Sequence, residues 1–287
     1  MSITTEQAAA VSTTRRWSML GASTSAQAAS AVMAHGPAFL IPTLVSQEGL
    51  SLVRAGVIAA APTLGVMLSL VVWGLLTDRR GERLVLLLGL GLTTVAGLAA
   101  VLSPSLTWLT VALFLGGASA ASTSAASGRV VVGWFSPRRR GLAMGIRQMS
   151  QPVGVGVAAI SIAVVADVHG VYAAMWVPTI ATALAAVLVA ALVIDPPRPA
   201  LVDGPAPNPY RGDRFLARIH AVSVLLVVPQ FVVWTFALVW LVQDRGWSPG
   251  AAGTLVALAQ VGGAAGRIAA GQLSDVDGSR MRPLRWV

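Results

Sequence analysis

Residues 74–83 read Gly-Leu-Leu-Thr-Asp-Arg-Arg-Gly-Glu-Arg, and the pattern returns at residues 271–280 as Gly-Gln-Leu-Ser-Asp-Val-Asp-Gly-Ser-Arg. Further identities extend the match back through the preceding apolar run, pairing Ala55, Gly56 and Gly65 with Ala252, Gly253 and Gly262. The chain therefore carries an internal duplication. In each copy the first glycine is expected to permit close helix approach and the second a tight turn, while the aspartate can accept amide hydrogens or pair with an arginine.

The composition of the chain indicates a membrane protein. Of its 287 residues, 55% are hydrophobic and 11% are charged, whereas soluble domains carry about 25% charged residues. There is no cysteine, which excludes disulfides, thiolate metal sites and thiol catalysis. The net charge of +9 would suit nucleic acid if the arginines formed one face, but they fall in short clusters between apolar runs.

Eight apolar stretches are long enough to cross a bilayer, which takes about 20 helical residues. They cover approximately residues 17–44, 53–76, 84–102, 106–134, 142–166, 171–194, 219–242 and 251–273. Membrane β-strands are about 10 residues long and alternate in polarity, unlike these continuous runs. The predicted fold class is therefore an all-α membrane protein.

Arginine placement predicts the orientation, because short loops rich in arginine stay in the cytoplasm. With the N-terminus inside, every arginine cluster lies on the cytoplasmic side, and the outer loops hold only Arg54 and Arg245. This distribution explains the basic charge as topology and argues against a nucleic-acid partner. The predicted location is the cytoplasmic membrane.

A proline-rich polar stretch after the sixth span divides the chain. Residues 195–213 contain too many prolines and polar residues for a packed helix, and transporters are commonly built from repeated bundles. We therefore expect a six-helix bundle at 1–194, a cytoplasmic linker at 195–217, and the seventh and eighth helices of a second bundle at 218–287.

The duplicated segment closely resembles the signature loop of the major facilitator superfamily, which follows the second helix and recurs after the eighth. The resemblance implies an MFS-type helical bundle, with the first six-helix bundle complete and two helices of the second. It also implies a conformational latch that steadies the outward-facing arrangement through a late helix of the opposite bundle. The residues assigned to that latch are Gly74, Asp78, Arg79, Gly81, Arg83, Gly271, Asp275, Gly278 and Arg280. An ordinary inner loop is the alternative.

Two departures from the family leave other readings open. Residues 128–145 are similar to the connection between the fourth and fifth helices, but residues 151–156 only partly match the proline-glycine motif of drug and proton antiporters. The incomplete match argues against a proton-driven drug exporter, and a drug or metabolite efflux carrier of the same superfamily is kept as the alternative. The family has twelve helices and eight are predicted here, so we expect a truncated product or an incomplete gene model, with a non-transporting membrane fragment or scaffold as the alternative.

Polar groups within the spans are the candidates for solute binding, because such groups are costly in a bilayer and mark transport pathways. All eleven acidic residues lie outside the spans or at their ends, so no buried carboxylate is available for proton coupling. The candidates are Arg267, Gln27, His35, Arg129 and Arg147. Packing is the alternative for Gln27 and His35, and anchoring at the inner headgroups is favoured for Arg129 and Arg147.

Arg267 is the deepest of these charges and precedes the signature Gly271 by one turn. Nitrate porters and monocarboxylate carriers are similar in placing a substrate-binding arginine there. The alternative is that Arg267 pairs with a carboxylate or a backbone carbonyl. The sequence thus predicts a secondary transporter for a small solute, an organic or inorganic anion among the candidates, with the lipid bilayer as its other partner. We expect no enzymatic activity, catalytic residue, metal or cofactor, and the coupling ion stays open.

Overall fold

The computed structural model describes residues 11–196 and 214–278, and within these ranges the ordered elements are all helical. The first six spans are built from α1 (Thr13–His35), a 3₁₀ turn (Gly36–Leu40), α2 (Ile41–Ser46), α3 (Leu52–Arg80), α4 (Glu82–Val101), α5 (Leu106–Trp134), α6 (Arg140–Gln148), α7 (Ser150–His169), α8 (Val171–Ala174) and α9 (Trp176–Leu192). Two more helices follow, α10 (Phe215–Gln243) and α11 (Pro249–Val276). The all-α prediction is confirmed.

In the part of the chain that the structure describes, seven spans are long and apolar enough to cross a membrane. The prediction of eight was too high by this measure. The eighth stretch does form a helix, the 28-residue α11, but glycines, two glutamines and Arg267 reduce its hydropathy. Two of those glycines, Gly253 and Gly271, lie against the backbone of neighbouring helices.

Serine caps set where four of the long helices begin. The hydroxyls of Ser12, Ser51, Ser105 and Ser248 each accept a hydrogen bond from the backbone N–H three residues later, over 3.2 to 3.4 Å. Such a bond satisfies one of the N–H groups left without an intrahelical partner at a helix start. The sequence therefore encodes these starts locally.

The second and fourth spans lie in backbone contact because glycines face each other across them. A Cβ added at Gly65 of α3 would overlap the carbonyl oxygen of Phe114 and lie 2.7 Å from the amide nitrogen of Ala118, both in α5. A Cβ at Gly117 of α5 would overlap the backbone of Pro62. The indole N–H of Trp73 adds a 2.7 Å hydrogen bond to the Ala118 carbonyl oxygen. Small residues of this kind let membrane helices approach closely.

The seventh span, α10, is the least packed of the helices that the structure describes. Only 12% of its most apolar 18-residue window is buried. Its buried side chains, Leu238, Val239 and Leu241, lie near its C-terminal end, whereas residues 222–228 are exposed along their length. The helix thus touches the rest of the structure mainly at one end.

The predicted linker lies mostly outside the described residues, which resume at Arg214. At its start, the carboxylate of Asp195 accepts a 2.7 Å hydrogen bond from the backbone N–H of Arg83, at the beginning of α4. The Arg83 guanidinium donates to the Ala190 carbonyl oxygen over 2.8 Å. The third and sixth spans are thereby joined at the arginine-rich ends. The division into two bundles and a linker stays a prediction.

Candidate functional site

The second copy of the duplicated segment binds the start of the fifth span. The two carboxylate oxygens of Asp275 accept hydrogen bonds from the backbone N–H groups of Gly141, at 2.8 Å, and Leu142, at 2.7 Å. These N–H groups belong to the first turn of α6, where intrahelical partners are lacking and the helix dipole favours a negative charge. Asp275 therefore connects the predicted second bundle to the first through charge-assisted hydrogen bonds.

Glycines bring α6 and α11 into backbone contact beside this cap. A Cβ at Gly271 would overlap the Gly141 carbonyl oxygen and lie 3.1 Å from the Cα of Gly145. A Cβ at Gly145 would lie 2.7 Å from the carbonyl oxygen of Arg267. The close approach expected at Gly271 is present, but the one expected at Gly74 is not, because a Cβ there would meet no described atom within 4 Å.

The first copy of the segment makes contacts within the first six spans. Asp78 forms an ion pair with Arg129 of α5, and both side chains are about half exposed. Gly81 and Gly278 each have a positive φ, of 102° and 64°, as the tight turns predicted there require. Arg79 is exposed at the end of α3, and Arg280 lies outside the described residues.

Two adjoining cavities of about 210 and 130 Å³ separate the first six spans from α10. They share Ala34, His35, Thr63 and Phe231 in their walls. The rings of His35 and Phe231 meet edge to face, with centroids 5.5 Å apart. The polar groups lining the smaller cavity include Gln27, Ser30, Thr123, Ser124 and Gln151. The sequence singled out Gln27 and His35, whereas the hydroxyls carried no signal beyond lying in apolar spans.

Arg147 is held by polar groups of α5 and of its own helix. Its Nε donates to the Ser127 hydroxyl oxygen at 2.9 Å, and one terminal nitrogen donates to the Ser124 carbonyl oxygen at 3.1 Å. The other donates to the side-chain oxygen of Gln148 at 3.2 Å. Ser127 in turn donates to Gln27 Oε1 at 2.9 Å. Two candidates that are far apart in sequence, Gln27 and Arg147, thus belong to one hydrogen-bonded chain.

Arg267 is partly buried and donates to the carbonyl oxygen of Gly263, one turn earlier in α11, at 3.2 Å. Among the residues that the structure describes, no carboxylate lies within ion-pair distance of Arg267 or Arg147. Both arginines belong to the crossing of α6 and α11 at Gly145, which is two residues from Arg147 and touches the Arg267 backbone. Arg129, by contrast, is held by Asp78.

Comparison with known proteins gives a family match over nearly the whole chain. The family model described as Major Facilitator Superfamily matches residues 21–286. An uncharacterized MFS-type transporter of Mycobacterium tuberculosis is 44% identical over 275 residues, covering 95% of this chain and 62% of the relative. The glycerol-3-phosphate transporter of Bacillus subtilis is 25% identical over 272 residues, covering 83% of this chain and 60% of the relative. The chain thus spans less than two thirds of these relatives' length.

Solved structures share the fold at low sequence identity. A bacterial homologue of the human lysosomal transporter Spinster, in an inward-facing and unoccupied conformation, has a TM-score of 0.70 and 17% identity over 92% of this chain and 64% of its own. A D-xylose-proton symporter has a TM-score of 0.63 and 14% identity over 91% of this chain and 69% of its own. These likenesses concern the arrangement of the helices.

Proposed function

Because the chain belongs to the major facilitator superfamily, we propose that it acts as a secondary transporter that moves a small anionic solute across the cytoplasmic membrane by alternating access. It is a multi-pass membrane protein with seven apolar spans in its described part. Its relatives carry the names of transporters, and the expectation that it is not an enzyme is confirmed.

The anionic character of the solute is supported by one observation, the two arginines at the α6–α11 crossing with only neutral partners. Arg147 is bonded to a hydroxyl, a carbonyl and an amide oxygen, and Arg267 to a carbonyl oxygen. A guanidinium has five N–H donors in a planar fork that matches a carboxylate or phosphate. The name of the Bacillus subtilis relative, which specifies an organic phosphate, supports the same class of solute.

Alternating access is supported by the position of the latch candidates. The cap that Asp275 forms on α6 joins the predicted second bundle to the first at one membrane face. Such contacts can break and reform as two bundles rock about a central site. On this reading Asp275, Gly271 and Gly278 form one half of the latch, and Asp78, Arg79, Gly81 and Arg83 form the other, whose partner helix would belong to the opposite bundle.

Replacing Arg147 or Arg267 by lysine should weaken anion binding while keeping the positive charge. Lysine lacks the planar fork, and hydrogen bonds to charged groups contribute about 1.5 to 3 kcal/mol, so Arg147→Lys and Arg267→Lys should each reduce affinity roughly tenfold to a hundredfold. Thermal-shift and calorimetric titrations of the purified protein against carboxylates, inorganic oxyanions, neutral sugars and organic cations would measure this. Arg54→Lys is the matched control, because Arg54 is exposed at a predicted outer loop. Stabilisation by sugars or cations alone, unchanged in both variants, would show that the arginines are structural.

We propose that the N-terminus, the linker and the C-terminal residues face the cytoplasm, since every arginine cluster then lies inside. A cysteine placed at Asp203, in the linker and outside the described residues, would be unique because the chain has no native cysteine. An impermeant maleimide should label it only after the cells are opened. A cysteine at Arg54 is the matched control and should be labelled in intact cells. Labelling of the cysteine at position 203 in intact cells would show that the topology is the reverse of the one proposed.

A further inference from the structure

The side chains of Arg147, Ser127 and Gln27 form a hydrogen-bonded chain with a defined direction. A guanidinium only donates, so the Ser127 oxygen accepts from Arg147 Nε at 2.9 Å. The single hydroxyl proton of Ser127 is then available for the Gln27 side chain, 2.9 Å away. In the structure the amide oxygen of Gln27 faces Ser127 and accepts this proton.

This orientation leaves the amide nitrogen of Gln27 as a donor at the cavity that the residue lines. Within residues 11–196 and 214–278, that nitrogen makes no hydrogen bond. One turn later on the same face of α1, Ser30 lines the same cavity. Ser30 is only 4% exposed, and its hydroxyl has no hydrogen-bond partner among the described residues. Buried polar groups are rarely left without partners, so both groups are donors available to a solute that enters this cavity.

We propose that Gln27 and Ser30 form a subsite that donates hydrogen bonds to an oxygen atom of the solute, and that Ser127 is a positioning residue that sets the Gln27 amide. The inference rests on the proposed function, because it takes this cavity to hold the solute. The oxygen can belong to a carboxylate, a phosphate or a hydroxyl group, since each accepts hydrogen bonds. A cavity of about 130 Å³ restricts the bound part to a few heavy atoms.

The test measures binding by calorimetry, with glycerol 3-phosphate, inorganic phosphate, acetate, glycerol and xylose as probes. Gln27→Leu, Ser30→Ala and Ser127→Ala should each lower the affinity for the probes that bind. The expected loss is roughly tenfold for a probe with a neutral oxygen and more for an anion. Ser127→Thr keeps the hydroxyl and should retain the wild-type affinity. Ser122→Ala is the matched control, because Ser122 is also fully buried in α5 with an unbonded hydroxyl but faces Gly89 instead of the cavity.

The outcomes distinguish a positioning role of Ser127 from a purely structural one. They also distinguish failure of the subsite from failure of the proposed function. Equal losses in Ser127→Ala and Ser127→Thr, or none in either, would overturn the positioning role. Anion binding that depends on Arg147 and Arg267 but not on Gln27 or Ser30 would overturn the subsite and leave the function standing. Binding of glycerol or xylose that depends on Gln27 and Ser30 but not on the arginines would support the subsite and contradict an anionic solute. If the unaltered protein binds none of the five, both proposals fail.

Discussion

Gly65→Ala should destabilise the protein by roughly 3 kcal/mol, at the upper end of the usual cost of overpacking. The added methyl group would overlap the Phe114 carbonyl oxygen and lie 2.7 Å from the Ala118 amide nitrogen. Because both atoms belong to backbone, no side chain can move aside, and α3 and α5 must separate. Separation also lengthens the hydrogen bond from Trp73 to Ala118. The free energy of unfolding, from titration with sodium dodecyl sulfate followed by circular dichroism, measures the effect.

The same helix supplies two matched controls for this substitution. Gly56 and Gly74 lie nine residues to either side of Gly65, and a Cβ at either would meet no described atom within 4 Å. Alanine there should be neutral or stabilising by up to about 1 kcal/mol, since it removes the helix penalty of glycine. Equal unfolding free energies for all three variants would show that α3 and α5 do not touch at Gly65.

Asp275→Asn should weaken the hydrogen bonds that hold the first turn of α6, so that its backbone N–H groups exchange faster with solvent. Hydrogen bonds to a charged group contribute about 1.5 to 3 kcal/mol each, and an asparagine offers one oxygen where the carboxylate offers two. The first-turn N–H groups of Gly141 and Leu142 have no intrahelical acceptor, so their protection comes from Asp275. A loss of about 2 kcal/mol corresponds to roughly thirtyfold faster amide exchange. Hydrogen-deuterium exchange of a peptide covering residues 138–145 reports this directly.

Asp244→Asn is the control for the lost charge, because Asp244 is an exposed carboxylate at the end of α10. It should leave exchange at residues 138–145 unchanged. Unchanged exchange in Asp275→Asn as well would mean that the α6–α11 contact does not depend on the carboxylate. The proposed latch would then have to rest on the glycine contacts alone.

The helices were predictable because few backbone conformations are possible for an apolar segment in a bilayer. Every backbone polar group in lipid must bond within its own helix, so long apolar runs identify helices without knowledge of their partners. The interruptions were missed, although the sequence contains a signal. Two helix junctions, at Met149 and Met175, each lie three residues before a proline, which lacks an N–H donor. That signal is not decisive by itself, since Pro62 and Pro229 lie inside unbroken helices.

The candidate site was predictable only as a set of residue types. The free-energy cost of placing a polar side chain in a bilayer identified Gln27, His35 and the arginines as candidates. The spacing of apolar residues along the sequence does not show which helices contact each other. Asp275 and Gly141 are 134 residues apart, and Gln27 and Ser127 are 100 apart. Arg147 was predicted to anchor at the headgroups because it lies near the inner end of its span, and its hydrogen bond to Ser127, on another helix, could not be inferred from that position.

The backbone contact between α6 and α11 restricts how these two helices can change in sequence. A packed core restricts each position to shapes that fit its neighbours, and here the neighbours are backbone atoms. A Cβ at Gly145 would lie 2.7 Å from the Arg267 carbonyl oxygen, and one at Gly271 would overlap the Gly141 carbonyl oxygen. A larger residue fits at either position only if the helices separate, so both positions are restricted to glycine. A lipid-facing position is restricted only in its hydrophobicity, since a single charge at the centre of a span costs about 2.5 to 3.5 kcal/mol.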